Sequence, residues 1–143
     1  MHTPNYKNKN FIRKQFNAKV LRCIRDFLRT YSPLLKILES FSSQFEDKNS
    51  ADAGGALEDL VKLVSQRGGK IYLVIDEYDA LTNAMAINYI HTKDEENEYL
   101  NITRKGGFFR SFFESIKGCM AGGLDRVFIT GILPITIADL NSG

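Results

Sequence analysis

The sequence predicts an α/β fold in which helices flank a parallel sheet, and three observations support this class. Helical and strand-like patterns alternate along the chain in the order helices, strand, helix, strand. The first strand-like run, 70–75, is apolar at all five of its core positions, so both of its faces are predicted to be buried. The second run, 126–130, follows a Phe-rich helical segment and completes the alternation. Because two strands alone do not form a stable sheet, either the chain contains further strands that these patterns do not reveal, or it is part of a larger domain, which is favoured.

Apolar spacing predicts three helices before the first strand. Residues 11–30 place apolar side chains on one face at helical spacing. The Ser-Pro pair at 32–33 predicts a break and the start of a second helix, because proline suits a first turn. The charged, Gly-rich stretch 46–55 is predicted to be a loop, and 56–66 a compact amphipathic helix. The Gly pair at 68–69 is expected to end that helix.

The second half of the chain is predicted to contain two strands and two helices. The strand at 70–75 comes first, and a short helix is expected at 83–90. Residues 91–107 are polar and predict an excursion from the core. The segment 108–120 predicts a helix whose Phe-rich face packs in the core rather than stacking on nucleic-acid bases. The strand at 126–130 ends at a glycine.

Charge is distributed unevenly over the 143 residues. The net charge is only +2, yet residues 1–36 carry nine Lys/Arg against one acid, and residues 37–143 carry ten against sixteen. Two interpretations of the basic segment remain open: a solvated helix face, which is favoured, or a surface that contacts nucleic acid or another acidic partner. The second interpretation depends on Lys19, Arg22, Arg25 and Arg29.

The two cysteines, Cys23 and Cys119, are far apart and form no CxxC pair, so neither a disulfide framework nor a zinc site is indicated. Both have apolar neighbours, which predicts reduced and packed thiols. No apolar run approaches the length of about 18 residues that a membrane span requires. The amino-terminal segment also lacks the apolar region of a secretory signal. An intracellular location, cytoplasmic or nuclear, is therefore expected.

Carboxylates follow the first predicted strand directly. In the stretch KIYLVIDEYDAL, the apolar run leads into Asp76, Glu77 and Asp79. In nucleotide hydrolases, an Asp at the end of a buried strand holds Mg²⁺ beside the phosphates, and a neighbouring residue can orient the attacking water. Adjacent strand residues point in opposite directions, so Asp76 could serve the metal and Glu77 the water. The alternative is that the acids cap the following segment, and Asp79 fits that alternative better.

The second predicted strand also ends in a polar side chain, Thr130, before Gly131. A hydroxyl at this place could sense the γ-phosphate or orient the water. The alternative is that it satisfies local backbone groups, as threonine at a strand end often does.

Three blocks in this order resemble the AAA-ATPase-like proteins of fungi, other microbial eukaryotes and some bacteria. They are KIYLVIDEYDAL, FFRSFFESIKG and DRVFITGILPITIADLNSG. The family pattern is an IDEYD block, a Phe-rich helix ending in Lys, and a TG-x-x-P-x-x-x-A-D-x-x-SG block. The last block is matched by Thr130, Gly131, Pro134, Asp139, Ser142 and Gly143. The resemblance covers roughly residues 11–143.

The resemblance implies a P-loop NTPase-type three-layer fold that uses ATP with Mg²⁺. In this family Asp76 and Glu77 would be the Walker B pair, with Asp76 at the metal and Glu77 as catalytic residue, and Thr130 would lie on the sensor strand. Members often carry a nuclease-like domain of the PD-(D/E)XK type further toward the carboxyl terminus.

The sequence departs from the family pattern in that it contains no G-x-x-x-x-G-K-[ST] phosphate-binding loop. The expected organisation is a disordered tail at 1–10 and a partial AAA-ATPase-like domain at 11–143. Such a fragment, lacking Walker A, is expected to bind ATP poorly and to hydrolyse it negligibly, because the loop supplies most contacts to the triphosphate. The rival hypothesis is a non-catalytic interaction module that uses the basic helix.

Overall fold

The computed structural model describes residues 9–36, 52–77 and 108–131 of the chain. Within these ranges the chain forms three helices and two strands. In chain order they are α1 (Lys9–Leu35), α2 (Ala53–Gln66), β1 (Ile71–Ile75), α3 (Phe108–Met120) and β2 (Leu124–Ile129). The strands pair in parallel, with helix α3 between them in the chain. The predicted α/β class is confirmed.

Helix α1 is one continuous helix of 27 residues, so the predicted break at Ser32 and Pro33 was wrong. Pro33 lies in the last turn, where a missing backbone N–H costs a single helical hydrogen bond. The hydroxyl of Ser32 donates to the carbonyl of Leu28 within the helix instead of capping a new one. The remainder of the predicted second helix lies outside the described residues, as do the predicted short helix at 83–90 and the excursion at 91–107.

Helix α2 begins at Ala53, three residues earlier than the sequence predicts. Asp52 is the N-cap, and its carboxylate accepts from the Gly55 N–H at 3.4 Å. Gly54 is buried where α2 meets α3, and a Cβ there would lie 2.6 Å from the Ser115 hydroxyl oxygen. Glycine at this position therefore permits close helix packing rather than a loop. The predicted glycine at the helix end is confirmed, since Gly68 has φ 76° directly after the C-cap.

The three helices share one hydrophobic core with one face of the sheet. Helix α3 buries the whole Phe-rich face that the sequence assigned to the core, and this prediction is confirmed. Phe16 of α1 packs its ring against Phe109 and Phe112 of α3, with centroids 5.6 and 5.0 Å apart in edge-to-face arrangements. The largest of the described side chains that are almost completely buried are Leu28, Val64 and Leu124.

The two cysteines differ in burial. Cys119 is buried in the core, where desolvation and then the charge of Glu58 raise the pKa of its thiol. Cys23 is exposed, so its predicted burial was wrong. The buried positions of α1 are Leu21, Ile24 and Leu28. Cys23 is turned about 100° away from Ile24 around the helix axis, which takes it off that stripe.

The sheet is covered by the described helices on one face. Leu73, Ile75, Val127 and Ile129 pack against the helical core from this face. The opposite face leaves Tyr72, Val74 and Phe128 exposed by 62%, 65% and 52%. The prediction that both faces of β1 are buried was therefore wrong for the described residues, because α1, α2 and α3 all contribute to a single core. Among the described residues, no helix combines the length and apolar character needed to cross a membrane.

Candidate active site at the carboxyl ends of the strands

The two strands end side by side. In the parallel register, Ile75 is opposite Ile129. The pairing extends one step further, because the N–H of Thr130 donates to the carbonyl of Ile75 at 2.9 Å. The residues that follow the strands, Asp76 and Thr130, are thereby brought together across 54 positions of sequence.

A single hydroxyl connects the three residues that the sequence selected. The Thr130 hydroxyl donates to Oδ1 of Asp76. The same oxygen accepts from the backbone N–H of Glu77 at 3.3 Å. The structure thus brings Asp76, Glu77 and Thr130 into one hydrogen-bonded group.

The backbone of Glu77 has a left-handed conformation. Its φ is 52°, a region that residues other than glycine seldom adopt. Strand β1 ends at Ile75, so Glu77 lies beyond the regular strand. The alternation of side chains along a strand therefore does not set the direction of Glu77; the turn does. The sequence argument assumed that Asp76 and Glu77 both continue the regular strand, and Glu77 does not.

The three side chains are exposed, so the carboxylates of Asp76 and Glu77 remain in contact with solvent. Carboxylate and hydroxyl oxygens are hard donors of the kind that Mg²⁺ prefers. Mg²⁺ usually keeps several waters and shares its remaining positions between one or two carboxylates and substrate phosphates. The donor set at the strand ends fits that pattern. In the described ranges, no group of three or more His, Cys, Asp or Glu could by itself hold a metal ion.

Other residues that the sequence singled out are in different places or lie beyond the described ranges. Asp79 and the block from Pro134 to Gly143 belong to the second group. The basic residues are on α1, where Lys19, Arg22 and Arg29 are exposed and Arg25 is half-buried. Arg29 lies 3.7 Å from Asp26 on the same helix.

Sequence reasoning missed one participant, the backbone N–H of Glu77. The sequence did contain one signal for this contact: an acid follows one predicted strand, a hydroxyl residue ends the next, and a helix lies between the two strands in the chain. Parallel strands place such residues at the same edge of a sheet. The left-handed conformation of Glu77 leaves no signature in residue types, because glutamate is not a residue that favours it.

Comparison with known proteins identifies the family of the chain. A family model described as "Predicted AAA-ATPase" matches residues 2–141. The chain belongs to the AAA-ATPase-like family. The resemblance drawn from the three sequence blocks is thereby confirmed. No curated protein and no solved structure matches the chain. Members of the AAA-ATPase-like family are expected in general to depend on a nucleotide and on Mg²⁺.

Proposed function

We propose that this chain provides the metal-binding and water-activating side of an ATP-hydrolysing site. The observation that carries the proposal is the hydrogen-bonded group at the strand ends, where one hydroxyl contacts both Asp76 and Glu77. Membership of the AAA-ATPase-like family supports a nucleotide as the ligand. In α/β folds, ligands bind in the crevice beyond the carboxyl ends of parallel strands.

Asp76 is proposed to hold the magnesium ion of Mg²⁺·ATP. Its Oδ1 accepts from Thr130, which orients the carboxylate and leaves Oδ2 as the oxygen for the metal or one of its waters. When bound with ATP at this carboxylate, Mg²⁺ would neutralise the negative charge that develops on the phosphates. The proposed role of Asp76 is therefore to bind the metal ion and to orient it beside the phosphates.

Glu77 is proposed to act on the attacking water. Its carboxylate is exposed, so water can reach it, and it can accept a hydrogen bond from a water and draw off a proton. The backbone turn at Glu77 determines where this carboxylate projects relative to Asp76. The sequence suggested that Thr130 could sense the γ-phosphate. Its hydroxyl is hydrogen-bonded to the carboxylate of Asp76 and to the backbone N–H of Glu77.

The sequence of 143 residues contains no G-x-x-x-x-G-K-[ST] loop, which in such enzymes cradles the phosphates. We therefore propose that binding is weak in this chain and stronger in a form extended upstream by such a loop. Both forms belong in the experiments. Their comparison separates the contribution of the strand ends from that of the phosphate cradle.

Changing Asp76 to Asn tests the metal role. In this variant the enhancement of ATP binding by Mg²⁺ is expected to fall by at least about 10-fold. Even the mutation of a residue that only hydrogen-bonds to a metal ligand typically lowers metal affinity about 10–100-fold. Binding is measured by calorimetry with and without Mg²⁺ in both forms of the chain.

Asp125→Asn is the matched control for this test. Asp125 is also an exposed carboxylate of the sheet, but it lies at the amino end of β2, where it pairs with Lys70 at 3.4 Å. Its loss should leave the Mg²⁺ effect unchanged. If the extended form binds ATP and Asp76→Asn shows the same Mg²⁺ effect as the wild type, Asp76 is not the metal residue.

A second candidate function is supported by helix α1. Arg22, Arg25 and Arg29 are spaced so that they share one side of the helix, and their side chains are exposed or half-buried. Arg22 and Arg29 lie away from the positions that α1 buries in the core, whereas the half-buried Arg25 borders them. It suits contact with nucleic-acid phosphates, as in a non-catalytic interaction module.

For this candidate, the double change Arg22→Gln and Arg29→Gln is expected to weaken nucleic-acid binding. It should also reduce the slope of log K against log salt by about 0.9 for each lost contact to a duplex phosphate. Fluorescence anisotropy across a salt series measures both quantities. Lys62→Gln with Lys117→Gln removes equal charge from exposed positions on α2 and α3 and should have a smaller effect. Equal effects of the two pairs would contradict a specific surface on α1.

A further inference from the structure

The Thr130 hydroxyl has few hydrogen-bonding positions, and two of them are occupied. A threonine hydroxyl has one proton to donate and two lone pairs that accept. The proton is directed to Oδ1 of Asp76. One lone pair accepts from the N–H of Glu77 at 3.3 Å. One accepting position remains.

This inventory restricts what Thr130 can do at an occupied site. Phosphate oxygens of a bound triphosphate are acceptors, so Thr130 could donate to one only by releasing Asp76. It can accept a hydrogen bond from a water while keeping both of its present partners. In the described arrangement the hydroxyl is therefore suited to hold the carboxylate and the turn, and not to donate to a phosphate.

The partner of the second bond is a backbone group in an unfavourable conformation. Glu77 has φ 52°, where the Cβ of an L-residue crowds its own backbone. Such a conformation persists when surrounding contacts impose it. The N–H of Glu77 is anchored on Thr130, and the backbone of Thr130 is in turn anchored on the carbonyl of Ile75 at 2.9 Å. Once the N–H is anchored, φ determines where the glutamate side chain leaves the backbone.

We propose that Thr130 is a positioning residue, whose hydroxyl presets the Asp76 carboxylate and the left-handed turn at Glu77 before any nucleotide binds. Its use in a reaction rests on the proposed ATPase function. The positioning itself belongs to the free chain. Thr130 therefore contributes by fixing the relative directions of the two carboxylates.

The experiment uses nuclear magnetic resonance on the nucleotide-free chain. Thr130→Val removes the hydroxyl and preserves the shape of the side chain, whereas Thr130→Ser preserves the hydroxyl. In Thr130→Val we expect loss of the left-handed signature of Glu77 in its Cα and Cβ shifts and its amide coupling, together with faster exchange of its amide proton. In Thr130→Ser we expect the wild-type signature to be retained.

Thr30→Val is the matched control. Thr30 is also exposed, and its hydroxyl donates to the carbonyl of Asp26 at 2.9 Å within α1. The same chemical change there should leave the Glu77 signals as they are in the wild type. If Thr130→Val does not fold, Thr130→Ala and Thr130→Ser are compared in its place, and the same difference is expected between them.

The outcomes separate this inference from the proposed function. If Glu77 keeps its left-handed signature in Thr130→Val, the positioning role is wrong, whatever the chain does with ATP. If the signature is lost as expected and the extended form fails to bind Mg²⁺·ATP, the positioning stands and the ATPase proposal fails. In a hydrolysing form, positioning predicts a lower kcat with little change in KM and recovery in Thr130→Ser. A raised KM with unchanged Glu77 signals would indicate a phosphate contact instead and overturn the inference.

Discussion

Replacing Glu77 with glutamine is expected to lower the rate of ATP hydrolysis by about 10²–10⁴-fold, the contribution typical of a positioned general base. Glutamine has nearly the same size and can still form a hydrogen bond, but it cannot take a proton at neutral pH. ATP binding should be retained, because the proposed metal residue, Asp76, is unchanged. The measurement is single-turnover hydrolysis alongside calorimetric binding, on this chain and on a form extended upstream by a phosphate-binding loop.

Glu114→Gln is the control for that experiment. Glu114 is an exposed glutamate on α3 that pairs with Arg110, and its change should leave hydrolysis near the wild-type rate. Wild-type turnover in Glu77→Gln would show that Glu77 is not the base. Loss of ATP binding together with hydrolysis would show that Glu77 contributes to the ground-state complex.

Truncating Leu124 to alanine is expected to destabilise the fold by about 2–5 kcal/mol, the range for buried leucines. Leu124 is only 1% exposed and begins β2, where it is opposite Ile71 in the sheet register and packs in the shared core. The change removes apolar contacts and leaves a cavity between the sheet and the helices. Urea denaturation followed by circular dichroism gives the free energy of unfolding.

Leu34→Ala provides a matched comparison, since it is the same substitution at a residue that is 77% exposed on α1. A change within about 0.5 kcal/mol is expected there, as for most surface positions. Equal destabilisation at Leu34 and Leu124 would contradict the assignment of the core. A milder loss at Leu124 would mean that the sheet and helices relax into the space.

Much of the fold could be predicted from local patterns. The period of apolar residues located all three described helices, and the helix at 108–120 has the predicted bounds. An unbroken apolar run located β1. The glycine after α2 marked the end of that helix. These features depend on residues a few positions apart, which is why the sequence alone carries them.

Errors occurred where neighbours in space outweigh neighbours in sequence. Proline and serine favour a helix break locally, yet α1 continues through Pro33. Gly54 resembles a loop residue, but its lack of a side chain serves the close approach of α2 to α3. Five consecutive apolar residues in β1 predicted two buried faces, while the described helices gather on one.

In the candidate site, too, some features followed from the local sequence and others from the tertiary structure. The sequence by itself determined which residues stand at the ends of the strands, Asp76, Glu77 and Thr130, because a strand and the polar residues after it are a local pattern. Only the tertiary structure decided that one hydroxyl joins them and that Glu77 turns into the left-handed region. The physical reason is that parallel pairing aligns residues 54 positions apart, and that alignment supplies the hydrogen bonds that hold an otherwise unfavourable backbone conformation.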